Sequence, residues 1–171
     1  RLDAEKHVSK LIEAFNDVLI LADVPVHLLL VGFGTEEDRL KNQAYELGID
    51  KRITFTGRVT DEEIVELQKV GDVFCMPSPA ELQCISALEA MASGKPVVAV
   101  DAGAVYELCQ NKRNGFLCEK DNVAEITLAL KTLVEDPKLR KQFGKESLAI
   151  AKTHDIAHTL KSFEKIYQEV M

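Results

Sequence analysis

The sequence predicts one α/β domain over residues 1–171, built on a doubly wound parallel sheet with helices on both faces. Short apolar runs alternate along the chain with segments of helical periodicity, and this order favours a parallel sheet. The runs are largely continuous in apolar residues, which is typical of strands buried on both faces. In chain order they are VHLLLV (26–31), RITF (52–55), DVFCM (72–76), PVVAV (96–100) and GFLC (115–118).

Helical patterns fill the segments between these strands. Residues 61–70 have the clearest start, because Thr60 is a good N-cap and three acids follow it at the positive end of the helix dipole. The other helices are predicted from apolar residues at three- and four-residue steps, with breaks near Asp136-Pro137 and His154. They cover residues 5–21, 36–47 (ended by Gly48), 85–93 and, as a series, about 122–170.

Composition and charge narrow the classes of partner. The 171 residues carry a net charge of −7, which argues against a general electrostatic hold on nucleic acid. Four cysteines show no zinc-site or redox spacing, so we expect free thiols in a reducing compartment. We find no signal peptide and no apolar run that reaches a length of about 18 residues, so we expect a cytoplasmic protein without a membrane span. A substrate at a lipid surface stays open.

The loops at one edge of the predicted sheet are where a ligand should bind. Ligands of an open parallel sheet lie beyond the carboxyl ends of its strands. Here those loops are predicted at residues 32–35, 56–60, 77–84 and 101–104. They contain several glycines, a Pro-Ser-Pro turn and Glu81, so we expect the functional site to be assembled from them.

Two glycine-containing motifs resemble nucleotide-binding signatures without satisfying them. GFG (32–34) lies between a strand and a helix, but Glu37 stands at the third glycine position and the acids of that helix start would repel a pyrophosphate. GKP (94–96) follows a helix and precedes a strand, which reverses the order of a phosphate-binding loop. We interpret the first as a tight turn and the second as a helix stop.

Two glutamates eight residues apart are the most informative carboxylates. Glu81 precedes the helix predicted over 85–93, and Glu89 lies within it. We expect Ile85, Leu88 and Ala92 to form the apolar stripe of this helix, which leaves Glu89 at its border with limited solvent access. Three interpretations of Glu89 stay open: a solvated residue, a structural ion pair, or a carboxylate that accepts hydrogen bonds from hydroxyls such as those of a ribose.

Backbone N–H groups at the start of the same helix would form an anion site beside Glu81. The segment thus places a carboxylate, an N–H cluster and a second carboxylate along one crevice. A sugar, a diphosphate and a ribose, in that order, would suit it.

The segment from Glu81 to Glu89, in SPAELQCISALEAMASGKPVVAVDAGAVYEL, resembles the E-x7-E segment of retaining glycosyltransferases of family four (group 1). These enzymes have the GT-B fold of two Rossmann-like domains. The opening RLDAEKHVSKLIEAF resembles the family's GRL, EKG and LI-x-AF segment, and VGFGTEEDRLKNQAYELGIDKRITFTGRVTDEEI resembles the segment that follows it. Gly103, Glu107 and NGF (114–116) match the later part, so the resemblance covers essentially the whole chain in order.

The resemblance implies the C-terminal, donor-binding half of such an enzyme, which binds a nucleoside-diphosphate sugar and needs no cofactor. Arg1 and Lys6 match the cationic contacts to the diphosphate. Glu81 matches the glutamate that faces the sugar hydroxyls, and Glu89 matches the one that binds the ribose. The resemblance further assigns diphosphate contacts to the backbone of Leu82, Gln83, Cys84, Ile85 and Ser86, and base contacts to Gly57, Arg58 and Val59.

Charge indicates the mechanism. Breaking the bond from sugar to diphosphate leaves negative charge on the leaving group, which two cations and a helix N-terminus would stabilise in the transition state. We therefore expect a hexosyltransferase that needs no metal, and the chain contains no Asp-x-Asp pair. That Glu81 also stabilises positive charge on the sugar is implied by the resemblance alone.

Some positions depart from the family. Leu82-Gln83-Cys84 stands where Gly-Phe-Gly is frequent, and this variant resembles members that glycosylate diacylglycerol. Arg58 is the nearest cation to the base loop, where a lysine is often found. The strand expected before Arg1 and the N-terminal acceptor domain lie outside this sequence. We therefore expect the 171-residue chain to bind nucleotide weakly and to transfer nothing by itself.

The predicted function is sugar transfer with retention from a UDP- or GDP-linked donor to an acceptor such as a lipid or a polysaccharide. The expected partners are the donor, the protein's own N-terminal domain and the inner face of the membrane, but not nucleic acid. The alternatives are a non-catalytic nucleotide-binding α/β module and half of a GT-B sugar-nucleotide epimerase. Charged residues at all four matched positions argue against the module, and the E-x7-E arrangement favours transfer over epimerisation.

Overall fold

The computed structural model describes residues 1–170 and confirms the predicted class, an α/β fold of parallel strands with helices on both faces. Each strand lies inside the apolar run that predicted it. Each is also shorter than or equal to its run, because a neighbouring strand pairs with only three or four of its residues. The strands are β1 (Leu28–Leu30), β2 (Ile53–Phe55), β3 (Phe74–Met76), β4 (Val97–Val100) and β5 (Gly115–Cys118).

Helices connect the strands and form the last part of the chain. The helix predicted over 5–21 begins only at Val8, because His7 adopts a left-handed conformation (φ 50°) after a 3-10 turn over Ala4–Lys6. The helices are α1 (Val8–Leu21), α2 (Glu37–Glu46), α3 (Asp61–Val70), α4 (Ile85–Ala92), α5 (Val105–Leu108), α6 (Val123–Glu135), α7 (Pro137–Ala151) and α8 (Ile156–Val170).

One predicted helix start is confirmed in atomic detail, and one predicted break is explained. The side chain of Thr60 accepts from the amide of Glu63, and the Glu63 carboxylate accepts from the amide of Thr60 at 2.7 Å. This reciprocal pair is a capping box. Asp136 caps α7 by accepting from the amides of Lys138 and Leu139, with a proline at the first helical position. The predicted break at this point is therefore a new helix start.

Strand β4 is the centre of the core, since each of its residues is at most 1% exposed. Successive side chains of a strand point to opposite faces, so β4 contributes to two apolar clusters. Val98 and Val100 pack in the cluster that contains α1 and α6. Val97 and Ala99 pack in the cluster that contains α4 and α5. The continuous apolar run that predicted burial on both faces is thereby explained.

The hydrogen-bonded ladder of the sheet is interrupted. All strand pairs are parallel, and within residues 1–170 they form two ladders, β1–β2 and β3–β4–β5. The single sheet expected from the sequence is thus divided between β1 and β3. A cavity separates these two strands, and its mouth carries most of the predicted site residues.

Candidate functional site

The loops after β1 and β3 are joined at one edge of the molecule by the first residues of the chain. The carbonyl of Phe33 accepts from the amide of Leu2 at 3.0 Å. The carbonyl of Glu5 accepts from the hydroxyl of Ser78 at 3.2 Å. The carboxyl ends of both ladders therefore meet at this edge, around a cavity of about 580 Å³. Its lining includes the predicted site residues Arg1, Lys6, Arg58, Val59, Glu81, Ser86 and Glu89.

The central contact of the site is an ion pair between Lys6 and Glu81. The Lys6 Nζ lies 2.7 Å from the Glu81 Oε1, and the two side chains are only 23% and 11% exposed. The pair joins residues 75 positions apart in the sequence. Two residues predicted as separate ligand contacts are thus each other's partner.

The loop that carries Glu81 is held from two sides. Ser78 is 0% exposed, and its hydroxyl donates to the Glu5 carbonyl and accepts from the Ala80 amide at 3.3 Å. From the other side, Gly103 has a φ of +57°, and a Cβ built there would lie 2.1 Å from the Glu81 carbonyl oxygen. Sequence reasoning missed Ser78, although a serine between two prolines indicated a fixed turn. These contacts place Glu81 opposite Lys6.

Arg1 lies at the rim of the cavity rather than inside it. Its guanidinium is 69% exposed and pairs with Asp3 at 3.2 Å and with Glu5 at 3.4 Å. The hydrogen bond from the Thr35 amide holds the pKa of the Asp3 carboxyl below its usual value. Gly34 packs so closely that a Cβ there would lie 2.4 Å from the Leu2 backbone. GFG (32–34) is therefore a tight turn that holds the chain's first residues, as interpreted from the sequence.

The start of α4 offers the predicted cluster of free amides. Cys84 is the N-cap, is 2% exposed, and its carbonyl accepts from the amides of Ala87 and Leu88. Burial raises the pKa of the Cys84 thiol. None of the amides of residues 82–86 has a hydrogen-bond acceptor within the described part of the chain. This is the arrangement that binds anions at a helix N-terminus.

The expected limited solvent access of Glu89 is wrong. Helix α4 buries Ala87, Ala90 and Met91 instead of the predicted stripe, and Ile85 is 64% exposed. With this face buried, Glu89 is exposed and lines the cavity. Among the side chains that the structure describes, the Glu89 carboxylate has no hydrogen-bond or ion-pair partner, which contradicts the interpretation as a structural ion pair.

The predicted base loop is built around a close approach of two glycines. Gly32 and Gly57 form a bridge and have positive φ values of 113° and 65°. The Thr56 hydroxyl accepts from the Gly32 amide and donates to the Gly57 carbonyl at 3.0 Å. Arg58 lies over the ring of Phe33, 4.1 Å from its centroid, which is a cation–π geometry. Phe33 was not predicted as a site residue, and only its place between two glycines signalled a loop position.

Not every predicted residue lines the cavity. Leu82 is 88% exposed, and the thiol of Cys84 is turned into the core. These positions can contribute only their backbone to a ligand in the cavity. The predicted site residues outside the lining are Gly57, Leu82, Gln83, Cys84 and Ile85.

The four cysteines are free thiols, three of them buried. Burial raises the pKa of Cys109 and of Cys118 to about 12. Among the side chains that the structure describes, which lie within residues 1–169 and do not include that of residue 158, no three of His, Cys, Asp or Glu are grouped as ligands for a metal ion. In the same described stretch, no helix has the length and apolar character required to cross a bilayer.

This edge of the α/β domain carries two carboxylates that line one cavity, those of Glu81 and Glu89, and the free amides at the start of α4 between them in the chain. The chain belongs to the family of glycosyl transferases group 1, whose family model matches residues 1–149. This confirms the predicted transferase superfamily and agrees with the parallel α/β architecture described above.

Known proteins of this family resemble the chain over most of its length. It is 33% identical over 141 residues to an uncharacterized glycosyltransferase of Haemophilus influenzae. The matched region covers 82% of this chain and 39% of that protein. The chain is 33% identical over 150 residues to the alpha-monoglucosyldiacylglycerol synthase of Streptococcus pneumoniae, covering 86% and 33% respectively. The crystal structure of Anabaena HepE in complex with UDP and glucose has a TM-score of 0.81 and 31% identity, covering 95% and 46%.

The chain is much shorter than these proteins. It spans 39%, 30% and 34% of three of the curated relatives that it matches, about a third of their length.

Proposed function

We propose that this chain is the donor-binding domain of a retaining glycosyltransferase and that it binds a nucleoside-diphosphate sugar. The observation that carries the proposal is the Lys6–Glu81 pair at 2.7 Å beside the free amides of residues 82–86. The unpartnered carboxylate of Glu89 lines the same cavity. Together these groups match the sugar, the diphosphate and the ribose of one donor.

The diphosphate would lie at the start of α4. Amides at a helix N-terminus bind phosphate oxygens, because the groups are unsatisfied and the helix dipole favours negative charge there. Lys6 lines the same cavity and can donate to an oxygen of the diphosphate as well as to Glu81. Arg1, at the rim, adds a second cation once a phosphate competes with Asp3 and Glu5.

The sugar would contact Glu81, and the ribose would contact Glu89. Only Oε1 of Glu81 is bound by Lys6, so its Oε2 is available to a sugar hydroxyl. Glu89 is exposed, and no side chain that the structure describes binds its carboxylate. Both oxygens are therefore available to the diol of a ribose. Hydrogen bonds from hydroxyls to a carboxylate are charge-assisted, so they are stronger than those between neutral groups.

Charge stabilisation is the proposed source of catalysis. Departure of the nucleoside diphosphate places negative charge where Lys6, Arg1 and the α4 amides converge. Preorganised donors of this kind typically contribute about 10²–10³ in rate each. We propose that these groups suffice without a metal and that transfer proceeds with retention, which NMR of the anomeric proton of the product would test.

The identity of donor and acceptor is proposed from relatives. UDP is the favoured nucleotide, because HepE, at 31% identity, was crystallised with UDP and with UDP-glucose. A lipid acceptor is favoured by the similarity to the pneumococcal diacylglycerol-lipid synthase and by Leu82-Gln83-Cys84 at the loop. An N-terminal domain would hold that acceptor, and the whole enzyme would then work at the inner face of the membrane.

Titration calorimetry with UDP, GDP and ADP tests the donor site. We expect UDP to bind. We expect Glu89→Gln to make the free energy of UDP binding less favourable by about 1.5–3 kcal/mol, the range for hydrogen bonds to a charged group. The matched control is Glu46→Gln, an exposed glutamate without a side-chain partner on α2, which should leave the affinity unchanged. Absence of binding by the natural full-length polypeptide at millimolar nucleotide would contradict the proposal.

Incubation of the full-length polypeptide with donor separates the rivals. A transferase releases UDP and forms product only with an acceptor. An epimerase alters the sugar or releases UDP without one, and a binding module does neither. We expect the isolated 171-residue chain to bind but not to transfer.

A further inference from the structure

Two residues outside the cavity share an uncommon backbone conformation and contact each other. In the part of the chain that the structure describes, His7, Lys112 and Asp121 are the only residues other than glycine with a positive φ, at 50°, 61° and 60°. The Nδ1 of His7 lies 3.0 Å from the Oδ1 of Asp121. Histidine and aspartate are among the few L residues that adopt this left-handed conformation with any frequency. The contact therefore fixes the two conformations relative to each other, across 114 positions of the sequence.

His7 is the junction between Lys6 and helix α1. It ends the 3-10 turn over Ala4–Lys6, where its amide donates to the Ala4 carbonyl at 3.2 Å. It also precedes the first residue of α1, and its carbonyl accepts from the Lys10 amide at 2.9 Å. The buried side of α1 is packed in the core, so the helix is a fixed support. The backbone conformation of His7 therefore sets the direction in which the turn that carries Lys6 leaves the helix.

Asp121 is held on its own side of the contact. It lies between β5 and α6, and its carbonyl accepts from the Val123 amide at 3.1 Å. The next residue, Asn122, is the N-cap of α6, and its side chain accepts from the Glu125 amide. Helix α6 packs against α1 in the same apolar cluster. Because a carboxylate only accepts hydrogen bonds, the Nδ1 of His7 donates to a fixed acceptor beside the start of α1.

The contact can affect a ligand only through Lys6. Neither His7 nor Asp121 lines the cavity, whereas Lys6 lines it and reaches Glu81 at 2.7 Å. The His7 and Asp121 side chains are 31% and 48% exposed, and pairs with this exposure contribute little to global stability. In the EKG segment that the start of the chain resembles, a glycine stands at the position of His7. Glycine permits the left-handed conformation together with several others, whereas a histidine bound to Asp121 is confined to one.

We propose that His7 and Asp121 are positioning residues that hold Lys6 in the cavity. Their contact selects the left-handed conformation at His7, and that conformation directs the Lys6 side chain towards Glu81. The inference rests on the proposed function only where it takes Lys6 as a contact to the diphosphate of a donor. Loss of the contact would let Lys6 sample other directions, and a misplacement of about 1 Å can lower a catalysed rate by about 10²-fold.

The reactivity of Lys6 towards acetic anhydride measures its position without any nucleotide. In the natural full-length polypeptide, peptide mass spectrometry reports the acetylation rate of each lysine. We expect His7→Ala and Asp121→Ala to raise the rate at Lys6 about 10-fold, as for the loss of one hydrogen bond to a charged group. Lys10 lies in the first turn of α1, pairs with Glu13 and is the internal control. Equal rates at Lys6 in the wild type and in both variants would overturn the proposal. So would a parallel rise at Lys10, which would indicate that the start of α1 frays.

Conservative variants separate the contact from the backbone conformation. Asp121→Asn keeps an oxygen for the imidazole and tolerates the left-handed conformation, so we expect the wild-type rate at Lys6. His7→Gly keeps access to a φ of 50° but loses the contact, so we expect the same rate as in His7→Ala. His154→Ala is the matched control at an exposed histidine that ends another 3-10 turn, and should change nothing. A wild-type rate in His7→Gly, or equal effects of Asp121→Asn and Asp121→Ala, contradicts the proposal.

Titration calorimetry with UDP tests the consequence for the donor. In the natural full-length polypeptide we expect Asp121→Ala to weaken UDP binding about 10-fold. In a Lys6→Ala background we expect it to have no effect, because both changes then act on one interaction. A further loss in that background would show that Asp121 acts by another route and would contradict the proposal. If UDP, GDP and ADP all fail to bind to the wild type, the proposed function fails, whereas the acetylation rates still decide whether His7 and Asp121 position Lys6.

Discussion

Replacing Gly103 by alanine should displace the loop that carries Glu81. Two effects act together at this position. The backbone has a φ of +57°, which is unfavourable for a residue with a Cβ, and that Cβ would lie 2.1 Å from the Glu81 carbonyl oxygen. Gly48 isolates the first effect, because its φ is +70° and nothing lies within 4 Å of its Cβ position.

The magnitude follows from these two positions. A left-handed conformation costs an alanine about 1–2 kcal/mol, so Gly48→Ala should destabilise by about that amount. Gly103→Ala must in addition open the contact from 2.1 Å to the 3.4 Å of an ordinary contact, a displacement of 3.4 − 2.1 = 1.3 Å. Overpacking of this kind typically costs a further 1–3 kcal/mol.

The displacement also reaches the site. Moving the Glu81 backbone by more than 1 Å breaks the 2.7 Å contact between Lys6 and Glu81. A misplacement of about 1 Å can lower a catalysed rate by about 10²-fold. Urea unfolding and the transfer rate of the full-length polypeptide measure the two consequences. If Gly103→Ala matches Gly48→Ala in both stability and rate, the close approach of Gly103 to Glu81 does not position the site.

Two further predictions concern stability. Ser78→Ala leaves the Glu5 carbonyl and the Ala80 amide without their partner, and should cost about 1–3 kcal/mol in urea unfolding, whereas a Ser93→Ala control should change little. Burial raises the pKa of Cys109 and Cys118 from 9.0 to about 12, so the folded protein keeps protons that the unfolded chain releases. Stability should therefore fall as pH rises from about 9 towards 12, and Cys→Ala variants should flatten that slope.

Strand positions were predictable from the sequence because each strand lies in a short apolar run. The expected burial on both faces holds fully only for β4, whose four apolar residues are each at most 1% exposed and serve two separate clusters. β1, β2 and β3 stay partly exposed. The Thr60 cap was predictable for a similar reason, since it acts on an amide only three residues away, whereas Asp136 was expected only to mark a helix break. Local interactions and continuous burial are the features that can be predicted from a single sequence.

The orientation of α4 was not predictable by the same rule. The apolar-stripe argument selects large side chains, and so it placed Ile85 inside. The observed contact surface is made instead by Ala87, Ala90 and Met91, each 0% exposed. Two of these three side chains are alanines, to which an argument based on large apolar side chains gives little weight.

The contact between Lys6 and Glu81 could not be predicted from the spacing of residues in the sequence. Lys6 and Glu81 are 75 residues apart, and their contact depends on Ser78 and Gly103 holding one loop from two sides. Family resemblance named the two residues, but it did not indicate that they neutralise each other. The division of the sheet between β1 and β3 had no local signal either.

Under the proposed function, the Lys6–Glu81 pair would distinguish the donor from its leaving group. Glu81 is 11% exposed, so any weakening of its contact with Lys6 leaves a poorly solvated charge. A diphosphate that shares Lys6 would weaken that contact, and a donor that also brings a sugar hydroxyl would give Glu81 a second hydrogen bond. After transfer the hydroxyl would leave, Lys6 would turn back to Glu81, and the diphosphate would lose a ligand, which would promote turnover.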